Sequence, residues 1–151
     1  MNKLLAQLLQ PLLASVAIIL VHDYHLMPLA AELRKQVNQQ PVGFFLHIPF
    51  PAPEVFTALP DHPQIMQMLC AYDLLGFQTE GDKHSFLSAL AQLTPLTPTP
   101  DGRWQAYGKT FRVGHYPIGI EPEAICQLAE GPLPPKMAAI RDSLGEARNI
   151  I

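Results

Sequence analysis

Apolar runs alternate with amphipathic stretches along the first two thirds of the chain. Runs of apolar residues predict strands at 16–21, 42–47 and 73–77. Apolar positions at helical spacing predict helices over 2–13, 27–37, 62–71 and 80–92, with a short helix near 53–58 and a kink at Pro11. Strands that alternate with helices predict an α/β fold: a Rossmann-like parallel sheet with helices on both faces.

Prolines and glycines divide the remainder of the chain. The proline-rich segment 94–102 predicts a loop, and residues 105–107 and 110–115 predict a hairpin around Gly108-Lys109. Helices are expected up to about Ala129 and from Pro134 to about Glu146. The last four residues, 148–151, are typical of the start of a new strand. We therefore predict one partial domain over 1–147 and the beginning of another over 148–151.

Composition excludes several functional classes. The chain has 151 residues, a net charge of −3 and scattered Lys and Arg side chains, so nucleic acid is not an expected partner. Cys70 and Cys126 lack a zinc-ligand spacing, which favours reduced, buried thiols and a cytoplasmic location. The apolar stretch before residue 20 is interrupted by Gln7, Gln10 and Pro11, so we do not expect a membrane span, and a signal peptide is the less favoured alternative.

Candidate chemistry lies where the first two predicted strands end. Asp23 follows the first strand, and His47 follows the second. Ligands of open α/β sheets bind at the carboxyl ends of the strands, so both side chains are candidate ligand contacts. The alternatives are a helix cap for Asp23 and a core histidine bonded to the backbone for His47.

Two further patterns occur at the ends of predicted strands. His22, Asp23, His25 and His47 allow a metal-dependent hydrolase as a weaker alternative, although adjacent strand residues point to opposite faces. Thr79 is expected to cap the helix that follows it. No glycine-rich phosphate loop and no nucleophile motif occurs in the sequence.

Four motifs in register resemble the trehalose-6-phosphate synthase family of retaining glucosyltransferases. They are His22-Asp23-Tyr24-His25-Leu26, the run from Gly43 to Pro51, the run from Tyr72 to Thr79, and Tyr116-Pro117-Ile118-Gly119-Ile120. The resemblance implies the N-terminal, acceptor-binding domain of a GT-B fold, which is two Rossmann-like domains facing across a cleft. It also implies transfer of glucose from UDP-glucose to glucose 6-phosphate, without a metal or other cofactor, and family members that form homo-oligomers.

The resemblance assigns roles to three residues. Asp23 matches the aspartate that binds glucose 6-phosphate, His47 matches the histidine that reaches the donor glucosyl group, and Ile48 matches a position linked to selection of the α anomer. The family's amino-terminal segment and its donor-binding domain are expected to be missing, so we expect the isolated chain to be inactive. A non-catalytic truncated or docking module of the same family is the alternative, and another phosphorylated acceptor such as glycerol 3-phosphate stays open.

Overall fold

The computed structural model describes residues 1–13, 18–36 and 40–144. It divides into two compact units, Met1–Ile118 and a second that begins at Gly119. The expected domain boundary at 147 and the expected strand at 148–151 lie outside the described residues. In the described part of the chain, no helix is long and apolar enough to cross a membrane.

A six-stranded sheet forms the centre of the first unit. Its strands, in the spatial order β1-β2-β3-β6-β5-β4, are β1 (Ile19–His22), β2 (Val42–Phe45), β3 (Leu74–Phe77), β6 (Lys109–His115), β5 (Trp104–Ala106) and β4 (Thr97–Pro98). The first four are parallel, and β5 and β4 extend β6 in antiparallel fashion. The predicted mixed α/β class and parallel centre are confirmed, and the antiparallel edge contains the predicted hairpin as β5 and β6.

Five α-helices accompany this sheet among the described residues of the first unit. They are α1 (Asn2–Leu9), α2 (Leu29–Lys35), α3 (Pro53–Phe56), α4 (His62–Leu69) and α5 (Glu80–Leu93). The predicted helix over 2–13 ends at Leu9, and a 3-10 turn follows at Pro11 because proline cannot donate an N–H to a regular α-helix. The predicted helix 27–37 is shorter in the structure, where it corresponds to α2, and a 3-10 turn at Tyr24–Leu26 precedes it.

Register places one set of strand side chains in the core. Residues paired in parallel strands point to the same side of a sheet, so Val21, Phe44, Leu75 and Val113 share one face. Aromatic rings pack on this face: the Phe44 ring lies 5.0 Å from that of Tyr72, three residues after α4, and the Phe77 ring lies 5.3 Å from that of Phe86 of α5. The opposite face carries Leu20, which is 59% exposed, together with His22, Phe45 and the strand glycines.

The hairpin and the proline segment differ from their predictions in detail. The turn between β5 and β6 is centred on Tyr107-Gly108, one residue earlier than predicted, and both residues have positive φ, 50° and 69°. Two central residues with positive φ are typical of the type I′ turn, which matches the twist of a hairpin. Thr97 and Pro98, predicted as loop, form the short strand β4 at the sheet edge, where proline is tolerated.

The second unit contributes two helices among the described residues, α6 (Pro122–Glu130) and α7 (Pro135–Leu144). Each begins with a proline at or near its first turn, as the sequence predicts. Cys126 of α6 is exposed, so the expectation that both cysteines are buried is wrong for this one. Cys70 of the first unit is buried, and both thiols are free.

Candidate active site

The two motif-bearing strand ends lie side by side at the carboxyl edge of the sheet. In the register of β1 and β2, His22 pairs with Phe45. The backbone N–H of Asp23 continues this ladder and donates to Phe45 O at 3.0 Å. His47 follows two residues after Phe45 and so points to the same face as Phe45 and His22. The predicted meeting of the two strand ends is therefore observed.

His22 and His47 form a direct pair. His22 Nδ1 and His47 Nε2 lie 2.9 Å apart, and the two rings meet edge to edge, with centroids 5.1 Å apart and an angle of 28° between their planes. The ring of Phe45 lies 4.7 Å from that of His47 and 6.3 Å from that of His22. His47 is exposed and bonded to a side chain, so the alternative of a core histidine bonded to the backbone is wrong.

Asp23 adopts a backbone conformation that non-glycine residues rarely occupy. Its φ is 69° and its ψ is 158°, a region that costs roughly 1–3 kcal/mol for a residue with a side chain. Although it precedes the 3-10 turn Tyr24–Leu26, its side chain makes no capping hydrogen bond, so the helix-cap alternative is wrong. The carboxylate oxygen Oδ1 is shielded from solvent and accepts no hydrogen bond from the described residues. Shielded polar atoms without a hydrogen-bond partner are rare in native proteins, and a functional role is one of the established reasons for them.

The loop after β2 is anchored on both sides of His47. Leu46 N–H donates to Gly76 O at 3.0 Å, and Phe50 N–H donates to Asp82 Oδ1 at 3.0 Å. The Phe50 ring packs against Phe56, Phe77 and Phe86 in the core. Between these anchors, Ile48 stays 46% exposed. His47 and Ile48 are therefore displayed from a fixed backbone.

Asp82 holds the loop that carries His47, and the sequence analysis did not single it out. Thr79 caps α5 as predicted, since its Oγ1 accepts from Asp82 N at 3.1 Å. Asp82 completes the capping box because its Oδ2 accepts from Thr79 N at 3.2 Å, while Oδ1 holds Phe50. The spacing Thr79-x-x-Asp82 is the sequence signature of such a box and could have identified Asp82.

The remaining candidate residues of this edge do not join the histidine pair. The ring of His25 stacks on Tyr24 at 3.9 Å, and its carbonyl accepts from Asn2 Nδ2 at 3.1 Å. Within residues 1–13, 18–36 and 40–144, no three His, Cys, Asp or Glu side chains are grouped so that they could hold a metal ion. Glu80, in the first turn of α5, contacts both Lys83 and His115. The Lys83 contact is the larger of the two causes that hold the pKa of Glu80 below its ordinary value.

A cavity lies at the other end of the parallel strands. It has a volume of about 330 Å³, and its lining includes Arg34, Lys35, Gln67 and Lys109. Arg34 donates to Asp73 Oδ2 at 2.6 Å, and Asp73 immediately precedes β3. The cavity therefore belongs to the amino edge of the sheet, and we assign the chemistry to the carboxyl edge, where Asp23 and His47 lie.

Comparison with known proteins identifies the family. The family model described as Glycosyltransferase family 20 matches residues 1–151. The chain belongs to glycosyltransferase family 20. The resemblance drawn from the four motifs is confirmed.

Individual members of family 20 match over the length of this chain. The trehalose-6-phosphate synthase of Cronobacter sakazakii is 54% identical over 149 residues, which are 99% of this chain and 31% of that relative. A solved Escherichia coli structure, described as bound with UDP-2-fluoro glucose, is 53% identical with a TM-score of 0.81 over 95% of this chain and 32% of that one. A synthase from Burkholderia xenovorans in complex with glucose-6-phosphate is 44% identical with a TM-score of 0.76 over 85% of this chain and 30% of that one. The chain thus spans about a third of its relatives' length.

Proposed function

We propose that this chain is the acceptor-side part of a trehalose-6-phosphate synthase, which transfers glucose from UDP-glucose to glucose 6-phosphate and releases trehalose 6-phosphate and UDP. Asp23 carries the proposal. It is held in a costly conformation at the carboxyl edge of the sheet, with a shielded oxygen that lacks a donor. Backbone strain of this kind is concentrated at ligand sites, where the surrounding structure maintains it.

The relatives support both substrates. One solved relative is described with a UDP-sugar analogue and another with glucose-6-phosphate. We extend these two ligand classes, a nucleotide sugar and a sugar phosphate, to the present chain. Because both are water-soluble phosphate esters, we further propose that the protein acts in the cytoplasm without a membrane or nucleic acid partner. Homo-oligomeric assembly stays a prediction.

Three residues take roles in this reaction. The Asp23 carboxylate accepts hydrogen bonds from hydroxyls of glucose 6-phosphate and fixes the acceptor. His47 binds the donor glucosyl group, and the exposed side chain of Ile48 borders the reacting centre and selects the α anomer. Two sugars held with their reacting atoms close need less ordering in the transition state.

The transfer itself is a substitution at C1 of the donor glucose. The bond from C1 to the diphosphate oxygen breaks and its electron pair leaves with UDP, while the acceptor hydroxyl oxygen bonds to C1 and its proton is released to solvent. We assign no residue of this chain to the charge of the leaving diphosphate. The 151-residue chain therefore supplies binding contacts, and we expect turnover to need the rest of the family 20 fold.

Calorimetric titration of the chain with glucose 6-phosphate tests the role of Asp23. We expect Asp23→Asn to weaken binding by about 10- to 100-fold, because a hydrogen bond to a charged group contributes roughly 1.5–3 kcal/mol. Asp61→Asn is the matched control, since Asp61 is exposed and its side chain makes no capping bond. Equal affinity of the wild-type chain and Asp23→Asn, or no binding by the folded wild-type chain, would contradict the proposal.

A non-catalytic module of the same family is the alternative to the synthase. The chain aligns with 31% of the Cronobacter sakazakii synthase. Such a module would retain the fold without the sugar contacts. Glucose 6-phosphate binding that depends on Asp23 supports the synthase, and a folded chain that binds neither substrate supports the module.

A further inference from the structure

We propose that His22 is a positioning residue that fixes the ring orientation and the tautomer of His47. In this arrangement His47 Nε2–H donates to the lone pair of His22 Nδ1, and His47 Nδ1 presents its own lone pair to a sugar hydroxyl. The sugar contact rests on the proposed function of His47. The pairing of the two histidines rests on geometry alone.

The ring geometry restricts His47 on two sides. The distance of 2.9 Å between His22 Nδ1 and His47 Nε2 is that of a hydrogen bond, and the rings are nearly parallel at 28°. The Phe45 ring lies 4.7 Å from the His47 ring at an angle of 56°. Rotation of the imidazole would therefore break the hydrogen bond and disturb the contact with Phe45.

The arrangement follows from the strand register. His22 pairs with Phe45 across β1 and β2, and His47 is two residues beyond Phe45, so all three side chains point to one face. The structure shows the result directly, since His22 Nδ1 is the atom that lies within hydrogen-bond distance of His47 Nε2. The described residues offer His47 no other hydrogen-bond partner.

Tautomer choice decides what His47 offers to a ligand. A neutral imidazole has one N–H donor and one lone pair, so two neutral rings that share a hydrogen bond have coupled tautomers. When both rings carry the proton on Nε2, the form that histidine prefers in water, the only consistent bond runs from His47 to His22. His47 Nδ1 is then an acceptor for a hydroxyl of the transferred sugar.

Nitrogen-15 NMR of the labelled full chain tests the pairing without any ligand. We expect His47 in the wild type to show a single tautomer with the proton on Nε2. In His22→Phe we expect an averaged mixture of the two His47 tautomers. His22→Asn should restore the wild-type signal, because the amide Oδ1 can accept in the place of the imidazole Nδ1.

His25→Phe is the matched control. His25 lies three residues after His22 and is exposed, and its ring contacts Tyr24 and not His47. It should leave the His47 signals unchanged. His22 is exposed at the strand end, so the variants are expected to fold, and circular dichroism verifies this. An unchanged His47 tautomer in folded His22→Phe, or the Nδ1–H tautomer in the wild type, would overturn the pairing proposal.

Titration with UDP-glucose tests the sugar half of the proposal separately. We expect His22→Phe to weaken UDP-glucose binding by about three- to tenfold, while His22→Asn and His25→Phe bind like the wild type. Equal affinity of His22→Phe and the wild type would overturn the positioning role even if the tautomer changes. A wild-type chain that does not bind UDP-glucose overturns the proposed function of His47 and the sugar contact together, whereas the NMR result still decides the pairing.

Discussion

The carboxylate of Asp82 holds the backbone N–H of Phe50 at 3.0 Å. Asp82 lies in the first turn of α5, and Phe50 lies three residues after His47. The same carboxylate closes the capping box with Thr79, so a helix start and a loop of the candidate site share one acceptor. The geometry around His47 thus depends on a residue from a different element of the fold.

Replacement of Asp82 by alanine should destabilise the first unit by about 2–4 kcal/mol, because the α5 cap is lost and the Phe50 N–H is left without an acceptor. Urea unfolding followed by circular dichroism measures the change. Asp61→Ala is the control: Asp61 precedes α4 in the same way but makes no side-chain cap, so its effect should stay within about 0.5 kcal/mol. Similar effects of the two substitutions would argue against the anchoring role of Asp82.

Substitution of Asp23 by glycine separates stability from binding. Glycine adopts a φ of 69° without strain, so we expect Asp23→Gly to raise the free energy of unfolding by about 1 kcal/mol. Asp23→Ala keeps a Cβ and gains no such relief. Both variants should lose glucose 6-phosphate binding in calorimetry. A destabilised Asp23→Gly variant would mean that the carboxylate contributes more to folding than the strain costs.

Gly108 should resist substitution because of its backbone conformation alone. Its φ is 69°, and a Cβ at this position would meet no atom within 4 Å. We expect Gly108→Ala to lower the free energy of unfolding by about 1–2 kcal/mol, measured by urea denaturation. Gly119 has equally open space without a positive φ, so Gly119→Ala should change stability little. Equal effects would point to a cause other than the turn.

The two thiols should differ in reactivity. Burial raises the pKa of Cys70 to about 12, so the folded chain keeps this thiol protonated and shielded, whereas Cys126 is exposed. Iodoacetamide at pH 8 should label one thiol in the native chain and both in urea, as counted by mass spectrometry. Rapid native labelling of Cys70 would contradict its burial.

The same thiol makes stability depend on pH in the alkaline range. An unfolded chain releases the Cys70 proton near its ordinary value of 9.0, and the folded chain holds it to about 12. The free energy of unfolding should therefore fall as the pH rises from 9 towards 12. Cys70→Ala removes this contribution, so its comparison with the wild type over that pH range isolates it.

Element type and order followed from periodicity because the strands of the parallel centre are short apolar runs between amphipathic helices. The shift of the hairpin turn has a specific cause: the first turn residue is Tyr107, and a positive φ is uncommon for tyrosine. Asn-Gly or Asp-Gly would have marked the turn, whereas Tyr-Gly did not. The short strand β4 was missed because prolines indicate loops unless an edge position is known.

At the candidate site, the meeting of the two strand ends could be predicted, but the contacts made there could not. Which side chains face each other depends on the register of β1 against β2, and that register places His22, not Asp23, beside His47. The positive φ of Asp23 could not be predicted from the sequence, since aspartate also occurs in ordinary turns. The link from Asp82 to Phe50 joins residues 32 positions apart and arises only from tertiary packing.

The single tryptophan lies in the antiparallel edge of the sheet. Trp104 begins β5, three strands from β2, which corresponds to roughly 14 Å at the usual strand spacing. Its indole packs partly against the core of the first unit, so its emission should report denaturation. A sugar bound beside His47 would leave this fluorophore undisturbed. Intrinsic fluorescence is therefore a folding probe for this protein and a poor binding assay. Ligand binding has to be followed by calorimetry or NMR instead.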